Sequence, residues 1–566
     1  MTIRRYSYIL IAAAVFLISG CGPGRVDREF SDQMRAYIGL MDEETPVING
    51  QRIYNPGIIK QIYSTDGDLA GAKWSSWENI DQLLNSIRNA RYHGLDPEDY
   101  HLAAIYGCID RLLSTPIIDN ADSAGFDLIL TDSFLMLGAH LARGKIDPAT
   151  GEPGWDARDV VIYTGWKNFL ETSLAQLKVA QNLEQLAPGH QNYIGLKEIL
   201  AKYRQIEKDG GWPLFIPELQ VIDTGMRHQD VAMLRKRLFN GPTGFDNDTA
   251  FIYQFGDHLY QEVVRFQERN GLVADGVVDS STVASMNVSV YGRISQIKVN
   301  LDRWRRLHNP GDNYLAVNIP DYKLTLVKEG RTILTDPVIV GTPDRPTPVL
   351  SSSLTSLELN PYWFVPPGMI YRNIIPSARR DSAYFQMRNM EILDEDWRRV
   401  DPGAVDWNSG FAEGFPYIVR QKPGPDNAMG RVKFLFANKH YVTIHGTPSN
   451  HLFQLNDRAL SNGCIRVRAP VQLAHYLLDG QEGLTMIELL KIIEQEKFVR
   501  IDVENQVPVH LFYFTAWAEG NETAHFRKDI YNLDQPLIEA LQKPPPRDLP
   551  ITVEMPTGMA ATGDPE

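Results

Sequence analysis

Tyr314-Leu315-Ala316-Val317-Asn318-Ile319, then Lys323-Leu324-Thr325-Leu326-Val327, then Thr332-Ile333-Leu334 after a turn at Glu329-Gly330, divides the chain in two. Apolar residues alternate here with a period of two, the pattern of consecutive strands with one buried face and a hairpin between them. Upstream the period is near 3.6. Trp77, Ile80, Leu83, Leu84 and Ile87 recur at three- and four-residue steps, as do Leu128, Ile129, Leu135, Met136 and Leu141. Ser76 and Asp127 stand where helix N-caps are expected, and Gly94 and Gly144 where helices should stop. The stretch Tyr92-His93-Gly94-Leu95-Asp96-Pro97-Glu98-Asp99-Tyr100 reads as a tight turn between two helices.

Downstream of the switch, Pro337, Pro343, Pro346 and Pro348 confine the chain to edges and loops. Further strands fit Val432 to Phe436, Tyr441 to Ile444, Phe498 to Val503 and Val509 to Ala516. Between them, residues 371–425 are rich in Arg, Asp and Trp without clean alternation and read as an inserted subdomain. Trp363 just before it, with Tyr371, Arg372 and Trp397 inside it, fits either a cap over a cleft or a small core of the insertion's own. The expected organisation is multidomain α+β: a helical scaffold over 25–216, a compact three-helix unit over 217–290, a mainly-β domain over 313–503, an extension over 504–542 packing on the scaffold, and a disordered tail over 543–566.

The whole chain has 566 residues, 43% of them apolar and 22% charged, which suits soluble globular domains of this number. Its net charge of −14 argues against broad nucleic-acid binding, which needs cationic surface. Three cysteines exclude a disulfide framework or a cysteine-rich zinc module. Each needs its own explanation. Cys21 follows Arg4, Arg5, an apolar run from Tyr8 to Ile18, Ser19 and Gly20, the arrangement of an export signal over 1–20 that is too short to span a membrane comfortably. Leu17-Ile18-Ser19-Gly20-Cys21 resembles a bacterial lipobox, which implies cleavage before Cys21 and lipidation of its sulfur. Gly22 after it implies sorting to the outer membrane of a diderm bacterium, with the body in the periplasm. Cys108, beside Ile105, Ile109 and Leu112, reads as a small buried hydrophobe.

Cys464 lies in Ser461-Asn462-Gly463-Cys464-Ile465-Arg466-Val467, a glycine-rich turn leading into apolar residues. His445 stands upstream at a strand end, in Thr443-Ile444-His445-Gly446-Thr447-Pro448. A thiolate nucleophile needs a base within reach and amides for the oxyanion, and Gly463 lets backbone approach a substrate carbonyl. Neither residue alone would persuade. Ser295-Gln296-Ile297-Lys298 has the spacing of a serine transpeptidase but lacks a Lys-Thr-Gly partner. His440, His445 and His451 do not have the spacing of a metal site, and no metal or cofactor is expected.

Taken together, His-Gly-Thr-Pro, a gap, Ser-x-Gly-Cys-Ile-Arg-Val and the upstream loop Val340-Gly341-Thr342-Pro343 to Thr347-Pro348 resemble the L,D-transpeptidases with a YkuD-type catalytic domain. The order of domains resembles the large YcbB-type members, and Val264-Arg265-Phe266-Gln267-Glu268-Arg269-Asn270-Gly271-Leu272 before Asp275-Gly276 resembles a peptidoglycan-binding domain. Two departures are Asn462, where many members have His, and Thr443, where some large members have Tyr. The resemblance implies that Cys464, activated by His445, attacks residue three of a tetrapeptide stem, expels D-alanine and passes the acyl group to a neighbouring stem as a 3→3 cross-link. It further implies that the amides of Gly463 and Cys464 bind the oxyanion, that the Ser461 region orients His445 through a backbone carbonyl, and that Arg466, Gly446 and Asn462 meet substrate. Arg466 suits a stem carboxylate or, equally, internal pairing. Peptidoglycan stems are the expected partner, with wall synthases beside them. Hydrolysis to a tripeptide, attachment of a lipoprotein to the wall and a non-catalytic wall-binding scaffold are the alternatives.

Overall fold

The computed structural model describes residues 26–65, 68–69, 71–114, 120–146, 165–239, 252–307, 310–409, 411, 414–520 and 523–545. The export signal, Cys21 and the tail from 546 onward lie outside the described residues.

The scaffold is helical, with two small hairpins, β1 (Val47–Ile48) with β2 (Gln51–Arg52) and β3 (Ser64–Thr65) with β4 (Asp68–Leu69). At its centre runs the helix Asn120–Arg143, apolar and long enough to cross a membrane but buried along its length. A helix surrounded on all sides needs no polar face, so it shows no amphipathic stripe. Asp127 is not the cap expected of it. It sits inside this helix, fully buried, and accepts from the Tyr63 hydroxyl, the Lys73 amide (3.0 Å) and the Trp74 amide (2.9 Å). One turn on, Asp132 accepts from the amide and side chain of Asn55 (both 2.9 Å) and contacts His101 Nε2 at 2.9 Å. Ser76 does precede the helix Trp77–Asn89 but its side chain makes no capping bond. Cys108 is buried in the scaffold core, 3.1 Å from an Arg111 nitrogen.

In the small unit, helices Gln229–Leu238, Asp257–Arg269 and Ser280–Met286 close around Val231, Leu234, Leu259, Val263 and Val278. Gln267, 1% exposed, accepts from the Gly276 amide (2.9 Å) and donates to the Val277 carbonyl (2.8 Å), fastening the Asp275-Gly276 turn to the second helix. Gly276 has φ +75°, and a Cβ there would lie 2.1 Å from the Tyr260 ring. Glycine is therefore required by both conformation and space.

A junction helix, Val290–Arg306, touches the scaffold helices Gln191–Lys208 and Asn120–Arg143 and the C-terminal helix Asp534–Gln542. Asp302, fully buried, accepts from the Lys145 amide (2.9 Å) and pairs with Arg306 and, at 3.7 Å, Arg305. Arg303 pairs with Asp534 at 2.6 Å, and Asn300 donates to Thr515 Oγ1 at 2.8 Å. Gly144, with φ +88°, ends the central helix where a Cβ would come 2.6 Å from the Asp302 carboxylate.

The mainly-β domain holds β5 (Tyr314–Asn318), β6 (Lys323–Lys328), β7 (Arg331–Gly341) and β8 (Leu350–Leu359). The insertion contributes β9 (Trp363–Phe364), β10 (Met390–Leu393), β11 (Arg399–Val400) and β12 (Ile418–Gln421). There follow β13 (Val432–Phe436), β14 (Ile444–His445), β15 (Ala459–Ser461), β16 (Ile465–Val467), β17 (Val499–Phe512), β18 (Ala516–Glu519) and β19 (Thr523–Phe526). Nine strands run in the order β15-β7-β16-β14-β13-β8-β17-β5-β6, and a further β6–β7 pairing curls the sheet back on itself. β7 continues through Pro337, which lies where its partner changes from β6 to β16, so the missing N–H falls at a switch in the ladder. β17 crosses the expected boundary at 503 and pairs with both β8 and β5, with an irregularity between Asp502 and Val507. The insertion begins at Trp363, earlier than Tyr371, because β9 is too short to show alternation yet pairs with β12. Trp363 and Trp407 pack against the insertion's own core, whereas Trp397 is 58% exposed and edge-on to Phe364. The β18–β19 hairpin lies on the helix Gln191–Lys208 and the helix Asp534–Gln542 on the junction helix.

Candidate active site

β14 and β16 run parallel, with Ile444 opposite Ile465 and His445 opposite Arg466. Ile444 and Ile465 point into the core. Side chains alternate along a strand, so Thr443, His445, Cys464 and Arg466 share the other face. The Ile465 amide donates to the Thr443 carbonyl at 3.0 Å, and the Thr443 hydroxyl lies 3.8 Å from Cys464 Sγ.

His445 is 4% exposed, and its Nδ1 contacts the Gly446 carbonyl at 2.6 Å. A carbonyl can only accept, so Nδ1 carries the proton and Nε2 keeps its lone pair. Burial lowers the imidazole pKa to about 4; the Gly446 bond opposes that, and the nearby Arg466 and Lys433 charges add to it. The carbonyl that orients the ring is thus that of Gly446 and not one from the Ser461 region. Gly446 is confined in turn: Gly430, with φ +67°, lies against it so closely that a Cβ would be 2.5 Å from the Gly446 carbonyl carbon.

Ser461 works on the turn itself. Its hydroxyl donates to the Cys464 carbonyl (2.6 Å) and accepts from the Gly463 amide (3.1 Å). The Gly463 amide is therefore occupied, while the Cys464 amide has no hydrogen bond among the described residues. Gly463 has φ +107°, which a side chain would strain. Thr347 closes the turn from the other side: its hydroxyl donates to the Gly463 carbonyl (2.8 Å) and accepts from the Gly341 amide (2.9 Å). Tyr531, from the C-terminal extension, donates to the Gly341 carbonyl (2.7 Å) and accepts from the Thr347 amide (3.2 Å). Neither Thr347 nor Tyr531 was assigned a role from sequence. The Thr347-Pro348 pair marked the loop, but nothing local to Tyr531 ties it to a turn so far upstream.

Asn462 is exposed, and its side-chain oxygen accepts from Arg345 while its nitrogen lies 3.9 Å from Met369 Sδ of the insertion. Arg466 is half-buried, and burial pulls its guanidinium below the ordinary value while Cys464 works the other way. Its buried Nε has no hydrogen-bond partner, and no carboxylate pairs with the group among the described residues. Among the described residues no group of three His, Cys, Asp or Glu gathers as a metal site.

Residues 312–489 match the family described as L,D-transpeptidase catalytic domain. The chain carries an L,D-transpeptidase domain of the YkuD type. Upstream of it, residues 59–200 match "Scaffold domain" and residues 227–286 match "Putative peptidoglycan binding domain". A curated protein of Haemophilus influenzae, named "Putative L,D-transpeptidase", is 38% identical over 223 residues, 39% of this chain. The match spans 45% of that relative's length. The crystal structure of an L,D-transpeptidase from Xylanimonas cellulosilytica overlaps 52% of this chain and all of its own, at 17% identity and a TM-score of 0.18, too distant to bear on the fold. In the L,D-transpeptidase domain, the cysteine turn and the histidine strand are neighbouring strands of one sheet.

Proposed function

We propose that this protein forms 3→3 cross-links in peptidoglycan through a thioester on Cys464. The observation that carries the reading is the shared face of β14 and β16, with His445 Nδ1 tied to Gly446 and Nε2 left to act as base. Nε2 takes the Cys464 proton, and the thiolate attacks the carbonyl of stem residue three. The oxyanion meets the unoccupied Cys464 amide, with the Thr443 hydroxyl beside the sulfur. On collapse the C–N bond breaks, and the proton held by His445 goes to the departing D-alanine amine. A side-chain amine of a second stem, losing its proton to His445, attacks the thioester and regenerates the thiol. Arg466, cationic and without a carboxylate partner, suits the terminal carboxylate of the donor stem.

We further read Cys21 as a lipid anchor that holds the protein to the outer membrane facing the periplasm, on the strength of the lipobox resemblance. Cys21→Ser should then move the protein from the membrane to the soluble fraction, and an unchanged distribution would sink the anchor. The reaction itself is tested by mass spectrometry of products from a disaccharide tetrapeptide. A cross-linked dimer with released D-alanine supports the reading, tripeptide alone supports hydrolysis, and unchanged substrate overturns both. Cys464→Ala should abolish all product.

A further inference from the structure

A cleft of about 860 Å³ lies away from Cys464, where three units meet. One wall is the end of the second helix of the small unit, at Asn270 and Leu272; the floor is the outer surface of β6 and β7; the far wall is the β18–β19 hairpin with Trp517. The walls are fastened to one another. Asn456 donates to the Gly271 carbonyl (3.1 Å), and Arg527 reaches the Arg269 carbonyl (3.1 Å) and Asp321 (2.6 Å). Gly271, at φ +66°, permits the approach, since a Cβ would stand 2.5 Å from the Arg527 side chain. Clefts of this size at domain junctions are where extended ligands lodge.

The lining specifies the ligand's class. Its acids and bases largely satisfy one another: Asp321 with Arg527 and Lys323, Glu519 with His525 (2.8 Å), and Asp457 with the Tyr322 hydroxyl (2.7 Å). Of the other charged lining residues, Glu268 and Lys528 bring one charge of each sign, and Arg458 donates to the Val338, Leu455 and Tyr322 carbonyls, so the cleft carries no excess of either sign large enough for a polyanion. The hydroxyls of Thr325, Thr332 and Thr335, the first and last directly opposed across β6 and β7, have no hydrogen-bond partner among the described residues. Trp517 lies in the far wall, its ring held parallel to His525 at 5.3 Å and with the Arg527 guanidinium over it at 4.7 Å, so its edge is what it offers the cleft. A polyanion would need unpaired cations and a lipid an apolar trough. Hydroxyl and amide groups beside an indole suit a neutral carbohydrate.

We propose that this cleft holds the glycan backbone of peptidoglycan, with the small unit supplying one wall and not the whole site. The inference rests on the cross-linking reading and locates the glycan relative to its chemistry. β7 leads from Thr335 at the cleft to Gly341 at the catalytic turn, about 20 Å of strand, and Asn456 to Arg458 lead directly into β15 and Ser461. The three stem residues up to the scissile carbonyl, about 10 Å when extended, cover about half of that distance.

The test is sedimentation of the full chain in detergent, bearing Cys464→Ala to prevent turnover, with purified peptide-free glycan strands. The chain should co-sediment, Thr335→Trp and Thr332→Trp should weaken binding about tenfold or more, and Thr335→Ser should retain it. Both threonines are exposed, so the fold accommodates the larger rings. Binding that is absent in the parent chain, or undiminished in both tryptophan variants, overturns the inference. Thioester formation by the unmodified chain on glycan-free tetrapeptide is read separately. Thioester without glycan binding removes the cleft proposal alone, whereas glycan binding without thioester removes the reaction.

Discussion

At the residue scale, one bond sets the tautomer of the proposed base and burial sets its pKa. An imidazole of ordinary value is half protonated near pH 6.5, whereas His445, lowered to about 4 by burial, stays neutral well below that. The neutral form is the one that can take a proton, so kcat/KM should hold from pH 7 to about 5 and fall only below. An acid limb near 6.5 would contradict this. Tyr531 offers a second check. Its ring stacks on Tyr513 (5.5 Å, 26°), so Tyr531→Phe preserves the packing and removes only the hydroxyl that braces Gly341 and Thr347. Acylation of Cys464 should slow about tenfold, equivalent to about 1.4 kcal/mol, with KM and melting temperature nearly unchanged. A variant as fast as the parent would show that the brace is idle. Cys464 and His445 were legible only as a pair, through the motif they share with a family; the Gly446 bond that selects the tautomer was not, because any nearby carbonyl would fit the same sequence.

At the element scale, the site depends on backbone passing close to backbone. Gly430→Ala places a methyl 2.5 Å from the Gly446 carbonyl carbon and in a left-handed conformation, so either Gly446 moves or the strand start is strained. We expect a loss of about 1–3 kcal/mol in stability, measured by thermal unfolding, and a larger fractional loss of activity because Gly446 holds His445. A variant with parental stability and activity would mean that this segment is soft. Alternation revealed β5, β6 and β7 because each has one face on the core. It could not reveal β9, two residues long, nor that β17 runs from Val499 through an irregularity to Phe512. Asp127 misled for a related reason: an acid among apolar residues usually marks a helix end, but here a tertiary neighbourhood of two amides and a phenol satisfies it in mid-helix.

At the scale of the whole molecule, the junction helix Val290–Arg306 links the units through charges withdrawn from water. Asp302→Ala would leave Arg305 and Arg306 buried without their carboxylate, a change that typically costs about 3–5 kcal/mol. Unfolding should shift to lower temperature for scaffold and catalytic domain together; a shift confined to one of them would show that the helix does not couple them. The cleft proposed for glycan depends on the same junction, since its walls come from three units that meet only in the folded chain.

By itself the sequence determined the periods that separate helical from β regions, the glycines at forced turns, and the Ser-x-Gly-Cys and His-Gly motifs, because each of these depends on residues close together in the chain. Tertiary structure alone decided that His445 and Cys464 share a face of neighbouring parallel strands, that Tyr531 braces the cysteine turn, and that threonines on β6 and β7 face Trp517 across a cleft. Those contacts join segments far apart in the chain, and such pairings arise from how the units pack, which no local propensity encodes.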